Sequence, residues 1–212
     1  HQLLQKPGIT SFSFISQQYD HEVQGGSVLK PLQGRGRVNS DAAVFKPVLN
    51  SPRAVVLSHG LYPQYSDIDT YHMAAASIDT AIRNAVVAGA NLDHLAILDN
   101  FCWCSSDESE RLYELKRAAE ACYDYAVAYG TPFIAGKDSM FNDFKGFDAR
   151  GKSVKISVPP TLVISSIGVI ADATKVVSLD LKFPGDFLYI VGETHDELLD
   201  EGVVPKVDAQ KN

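Results

Sequence analysis

Basic residues are in short supply: 19 Lys and Arg stand against 26 Asp and Glu, a formal net charge of -7. An electrostatic grip on DNA or RNA needs clustered cations that displace phosphate counterions, so nucleic acid is not expected as a partner. No apolar run reaches the roughly 20 residues that cross a bilayer, and the first residues lack the basic stretch and apolar core of a signal peptide. The expectation is a cytoplasmic protein without a membrane partner. Cysteine is scarce too. Cys102, Cys104 and Cys122 form an odd set with only the first two close in sequence, which speaks against a disulfide framework and for reduced, buried thiols.

Three chemistries lose their signatures in the same way. Zinc capture by Cys102 and Cys104 lacks a second pair of soft ligands at zinc spacing, and His94 reads as a loop residue between helix and strand. There is no Gly-x-x-x-x-Gly-Lys-Ser/Thr loop, which removes kinase, GTPase and Rossmann readings. A Ser-His-Asp hydrolase built on Ser139 and His72 lacks the Gly-x-Ser-x-Gly elbow.

What is there is a chain of 212 residues, 45% hydrophobic, long enough for one domain with a substantial core. Residues 1–18 read as a tail or entry segment, and 19–192 as the domain. Residues 193–212 read as a linker to a further domain. Between Tyr19 and Pro31 the chain is polar, then glycine-rich, then briefly apolar, and Leu32 to Asn39 reads as a turn or loop carrying Arg35 and Arg37 as solvated charges.

Two apolar runs, 41–45 and 54–58, separated by Pro47, Asn50 and Pro52, read as paired strands. Apolar residues at Ala74, Ala75, Ile78, Ala81, Ile82, Ala85 and Val86 step by three and four, which predicts a helix from Tyr71 to about Ala88. Asp69 or Thr70 would cap it and Gly89 would end it. A strand at 94–98 follows. A second helix is predicted over about 107–129 with Leu112, Leu115, Ala119, Cys122, Ala126 and Tyr129 on its apolar face, a capping box of Ser105 with Glu108, and a stop at Gly130.

Further strands are expected at 133–135, 161–171 and 187–192, with a charged turn at 145–153. The order β-β-α-β-α-β-β-β implies an α/β (α+β) fold: a mixed sheet with its helices on one side.

Polar groups that bind ligands gather where strands of such sheets end. Three places qualify: Asp99-Asn100, the segment Gly136-Lys137-Asp138-Ser139, and Ser40-Asp41. Carboxylate and amide oxygens suit Mg²⁺, while glycine N–H groups, lysine and serine hydroxyls suit phosphate.

Taken in order, Tyr19-Asp20-His21-Glu22-Val23-Gln24-Gly25-Gly26, Asp41-Ala42-Ala43-Val44, Asp67-Ile68-Asp69-Thr70-Tyr71-His72-Met73-Ala74, Leu98-Asp99-Asn100-Phe101-Cys102-Trp103 and Gly136-Lys137-Asp138-Ser139-Met140 resemble phosphoribosylformylglycinamidine synthase from about Tyr19 to Asp208. More narrowly, the chain resembles the N-terminal subdomain of the second aminoimidazole-ribonucleotide-synthetase-like (PurM-like) half of that enzyme. The resemblance implies a mixed sheet whose strands complete a β-barrel with a partner half, or with a second copy in a homodimer.

It also implies a ligase of purine biosynthesis. In that reaction ATP activates the formyl amide oxygen of formylglycinamide ribonucleotide, and ammonia from a glutaminase domain or subunit displaces phosphate. Cofactors implied are ATP and Mg²⁺. Carried over by position, Asp99 and Gly136 match ATP contacts and Ser139 a substrate contact. Lys137 replaces a magnesium-binding Asn, and a cation cannot ligate a cation.

Ser40, Asp41 and Asn84 match a second nucleotide and magnesium site, in which Thr80 replaces a metal-binding Glu one helical turn before Asn84. The family's catalytic histidine belongs to the other half, with His21 at the pseudosymmetric place here. No catalytic residue is assigned to this chain, which is expected to be inactive alone.

Overall fold

In the computed structural model, residues 2, 13–18, 22–35 and 37–192 are described. His21 and the expected linker at 193–212 lie outside the described residues. A short helix α1 (Ser13–Ser16) precedes three short strands, β1 (Ser27–Leu29), β2 (Leu32–Gln33) and β3 (Val38–Asn39), after which come β4 (Ala42–Phe45) and β5 (Ala54–Leu61). Then follow α2 (Thr70–Val87), β6 (Leu95–Cys102), α3 (Ser109–Tyr129) and β7 (Phe133–Ser139). A hairpin of β8 (Asp143–Phe147) and β9 (Ser153–Ser157) leads to β10 (Thr161–Ile170).

The main sheet runs β1-β4-β5-β10-β6-β7. All its pairings are antiparallel except β6 with β7, so the sheet is mixed as expected. The one parallel pair follows from α3, since a helical crossover returns the chain in the same direction.

The two-residue period of the strands sorts the sheet into unlike faces. Ala54, Val56 and Ser58 of β5 and Leu162, Ile164, Ser166 and Ile170 of β10 are buried, while their neighbours Val55, Leu57, Val163 and Ile167 are only half-buried. The buried face carries the helices: α2 packs on β5 and β10, and α3 packs on α2.

The close approach of α2 depends on small residues. A side chain at Gly60 would overlap the carbonyl of Ser77. Beside it, the Ser58 hydroxyl donates to Ala81 O at 2.5 Å and lies 2.9 Å from the Ser166 hydroxyl. Two buried polar groups are thereby satisfied, which removes the 1–3 kcal/mol or so that an unpaired one costs.

Both helices start and stop largely where their sequences indicate. Asp69 caps α2, accepting from Tyr71 N at 2.8 Å. Its other oxygen accepts from Arg117 Nη2 at 2.9 Å, tying the start of α2 to α3. Gly130 ends α3 with φ of 67°, a left-handed conformation that costs glycine little. The Ser105–Glu108 capping box does not form: α3 begins at Ser109 with Glu108 at its cap, and the Glu108 carboxylate accepts from Lys155 instead. Leu112 and Ala119 are exposed, and Ala118 and Ala121 join Cys122 in the core in their place. The fully buried Trp103 donates from Nε1 to Arg111 O at 3.1 Å, anchoring the end of β6 to α3.

Other departures from the expected elements have a common cause. Residues 32–39 form the β2–β3 hairpin rather than a loop, and 143–157 form the β8–β9 hairpin around the expected charged turn. In the first, apolar and polar residues share both faces; in the second, the apolar face of Phe144, Val154 and Ile156 is short and backs onto a face of Asp143, Lys145 and Lys155. Residues 133–135 belong to a longer strand, 133–139, which lies at the sheet edge and is mostly exposed rather than buried. The apolar run 187–191 is no strand at all: nothing pairs with it among the described residues, and Ile190 is 90% exposed.

Candidate functional site

Asp99 and Gly136 are neighbours across the parallel pair of β6 and β7. Both sit within strands, not at strand exits as the sequence suggested. An added Cβ at Gly136 would overlap Asp99 Oδ1, so the missing side chain makes room for the carboxylate. Asp99 Oδ1 then accepts from the backbone N–H of Lys137 at 3.1 Å.

Burial raises the Asp99 carboxyl above its ordinary range; the Lys137 N–H opposes this and the nearby Asp138 charge adds to it. A carboxylate kept in such surroundings at a sheet edge is a functional-site candidate. The edge position matters, because among the described residues β7 pairs on one side only and leaves backbone N–H groups on the other for a ligand.

The pleat divides the expected phosphate cradle. Gly136 shares the helix-covered face with Asp99, and alternation places Lys137 and Ser139 on the opposite face beside Asn100 and Cys102, their register partners. Ser139 is half-buried, and its carbonyl accepts from Trp103 N at 2.7 Å and Asn142 Nδ2 at 2.9 Å. Gly136 and Ser139 therefore address the two sides of one edge strand rather than a single loop.

Ser40, Asp41 and Asn84 converge elsewhere. They line one cavity of about 210 Å³ near the other edge of the sheet, with Leu29, Ala42, Val87 and Ala88. Two strands, β5 and β10, separate β4 from β6, so this place and the Asp99–Gly136 pair are distinct.

The Ser40 hydroxyl donates to Ala42 O at 2.5 Å, and Asn84 Nδ2 donates to His59 O at 3.2 Å, which leaves the amide oxygen of Asn84 as the group to offer. Thr80, one turn earlier on α2, donates to the Tyr62 hydroxyl at 3.0 Å and is occupied. Among the described residues no three His, Cys, Asp or Glu side chains cluster as metal ligands. The fourth wall was not legible: Val177, Ser178 and Leu179 close the cavity from a segment whose sequence carries no motif.

A mixed sheet with two helices on one face, a second face that no helix covers among the described residues, and polar sites toward both edges defines an α/β domain. Residues 39–170 match the family "AIR synthase related protein, N-terminal domain", and the chain belongs to that family.

Beyond the family, it is similar to phosphoribosylformylglycinamidine synthase subunit PurL of Thermococcus sibiricus, 30% identical over 99% of this chain and 28% of that protein. The same subunit of Methanocaldococcus jannaschii is 32% identical over the same shares. The chain thus spans about 28% of the length of these curated relatives. The fold is that of PurLQS from Thermotoga maritima, with a TM-score of 0.63 and 23% identity over 79% of this chain and 25% of that one. Structures of T. maritima PurL complexed with ATP and with FGAR superpose with a TM-score of 0.60 each. No helix among the described residues is long and apolar enough to cross a membrane.

Proposed function

We propose that the chain is an ATP-binding part of the ligase that makes formylglycinamidine ribonucleotide in cytoplasmic purine biosynthesis. The observation that carries the reading is the Asp99 carboxylate seated over Gly136 at an open sheet edge. The PurL relatives and the T. maritima PurL complexes with ATP and FGAR support it.

The reaction on this reading has two halves. The formyl amide oxygen of the substrate attacks the γ-phosphorus of ATP and ADP leaves; ammonia then adds to the activated carbon and phosphate departs, giving the amidine. Ammonia comes from glutamine at a glutaminase partner, with glutamate as the by-product. The residues of this chain bind and orient rather than react. Asp99 and the edge N–H groups of β7 hold the nucleotide on one face of the strand, and Ser139 donates to the ribonucleotide from the other. Catalysis requires the parts of the relatives that this chain does not span.

Magnesium fits the Ser40–Asp41–Asn84 cavity in one way only. One carboxylate and one amide oxygen make no protein cage, but Mg²⁺ commonly takes one or two carboxylates and completes its octahedron with water and phosphate oxygens. Asp41 and Asn84 would hold an ion that arrives with a nucleotide, and the ion would neutralise phosphate charge.

The uncovered sheet face is the surface that a second copy or a partner half would close into a barrel. Calorimetry with Mg-ATP tests the nucleotide reading. Asp99→Ala and Asp41→Ala should each weaken binding, and a wild-type-like isotherm for both variants overturns it.

A further inference from the structure

The cavity at Ser40, Asp41 and Asn84 holds about 210 Å³, whereas pockets that take ligands of nucleotide size run to roughly 300–1,000 Å³. Three walls are fixed by β1, β4 and α2. The fourth, Val177 to Leu179, belongs to no helix or strand.

What holds this wall is local. Val177 N donates to Ala88 O at 3.3 Å at one end. At the other, Lys182 Nζ donates to the Ser178 carbonyl at 3.1 Å, the Ser178 hydroxyl at 2.6 Å and the Asp180 carboxylate at 2.7 Å, while the Ser178 hydroxyl donates to the same carboxylate at 2.5 Å. The knot folds residues 178–182 on themselves.

It also rests on the β2–β3 turn. An added Cβ at Gly34, which has φ of 60°, would lie 2.5 Å from Asp180 Oδ2. Only a residue without a side chain leaves Asp180 this seat. Past Lys182 the chain turns outward, with Phe183 74% exposed. A segment tied by exposed hydrogen bonds and little apolar packing sits at the low-stability end of a fold and opens before the core does.

We propose that residues 177–182 are a latched strap over the Ser40–Asp41–Asn84 cavity, and that a nucleotide enters only when the Ser178–Asp180–Lys182 knot releases. The strap rests on the nucleotide reading of this cavity for its ligand, but its motion can be read without one. Asp180 and Lys182 do not line the cavity, so loosening them alters access and not the binding groups. The Asp180 carboxyl, held below its ordinary range by Lys182 first and Ser178 second, is the charge that closes the knot at neutral pH.

The test places a thiol inside. Ala42 lines the cavity and is 6% exposed, so Ala42→Cys in the full chain reports access through its rate of maleimide labelling, mapped by mass spectrometry apart from the native cysteines. Adding Asp180→Ala, or separately Lys182→Ala, should speed labelling by about fivefold or more, the response to losing one modest interaction, with Tm lowered by no more than roughly 2–4 °C. Equal rates in all three proteins overturn the strap.

Mg-ATP should slow labelling in each. Faster labelling in the latch variants without Mg-ATP protection supports the strap and sinks the nucleotide reading of this cavity. Protection with unaltered rates does the reverse.

Discussion

The carboxylate of Asp99 fills the volume that a side chain at position 136 would need. The two residues face each other across the one parallel pairing in the main sheet, so the acid cannot keep its place if the glycine gains even a methyl group. Gly136→Ala should push Asp99 off the Lys137 N–H and cost about 1–3 kcal/mol, the usual range for overpacking. Denaturant unfolding measures the loss, and Mg-ATP affinity should fall with it. Wild-type stability in this variant would mean that the strands relax without moving Asp99.

Asp99 itself should trade stability for binding. Its folded-state carboxyl is raised, chiefly by burial, so the folded protein holds its proton to higher pH than the unfolded chain does. Stability is therefore lost as pH rises from the unfolded value of about 4 through the raised one, and it stays lost above. Asp99→Asn keeps an acceptor for Lys137 N–H without the charge. Its Tm should match wild type near pH 3.5 and exceed it by roughly 2–4 °C at pH 7, while Mg-ATP binding weakens. Parallel Tm curves across this pH range would refute the account.

The three thiols should differ sharply in reactivity. Burial pushes Cys122 up to about 12 and raises Cys104 as well, whereas Cys102 is half-buried on the uncovered sheet face. Since the thiolate is the reactive form, iodoacetamide at pH 8 should modify Cys102 first and leave the other two largely intact. Rapid labelling of Cys122 in the folded protein would contradict its place in the core.

Gly60→Ala asks whether α2 can retreat. The new methyl group would overlap the Ser77 carbonyl, which is backbone and cannot rotate away. The helix must shift off β5, breaking the Ser58–Ala81 hydrogen bond on the way. A loss of about 3 kcal/mol or more is expected from thermal or urea unfolding, and a loss under 1 kcal/mol would show that the layer spacing is softer than drawn.

If the uncovered face is a barrel half, the chain should self-associate. Sedimentation at micromolar concentration should show a dimer, and Leu57→Lys, in the middle of that face, should return it to monomer. A monomer throughout the concentration range would remove the second copy as an occupant.

Much of the scaffold was legible because its periods are clean. The three-and-four spacing from Ala74 to Ala85 gave α2 nearly to the residue, and Asp69 and Gly130 marked helix ends through cap chemistry that depends on neighbouring residues alone. Ser40, Asp41 and Asn84 could be grouped by resemblance, and they do line one cavity.

The misses lie where partners decide. Residues 143–157 carry Asp143, Lys145, Lys152 and Lys155 and read as a turn, because these charges outweigh the short alternation of Phe144, Val154 and Ile156 on the other face of the arm. Residues 136–139 read as a loop leaving a strand, since nothing local reveals that β7 continues beside β6 to Ser139. Val177 to Leu179 reach the cavity through the path of the chain, which no motif encodes.

The run Phe187-Leu188-Tyr189-Ile190-Val191 has a practical consequence for anyone handling the protein. Five successive β-forming residues with neither charge nor proline stand clear of the fold, the composition of a segment that sticks to its own kind. What opposes further clustering in dilute buffer is the net charge of -7, and salt shortens the reach of that repulsion to about 3 Å at 1 M. Colloidal behaviour should therefore follow ionic strength more closely than temperature, with turbidity rising on salting while the folded core stays intact.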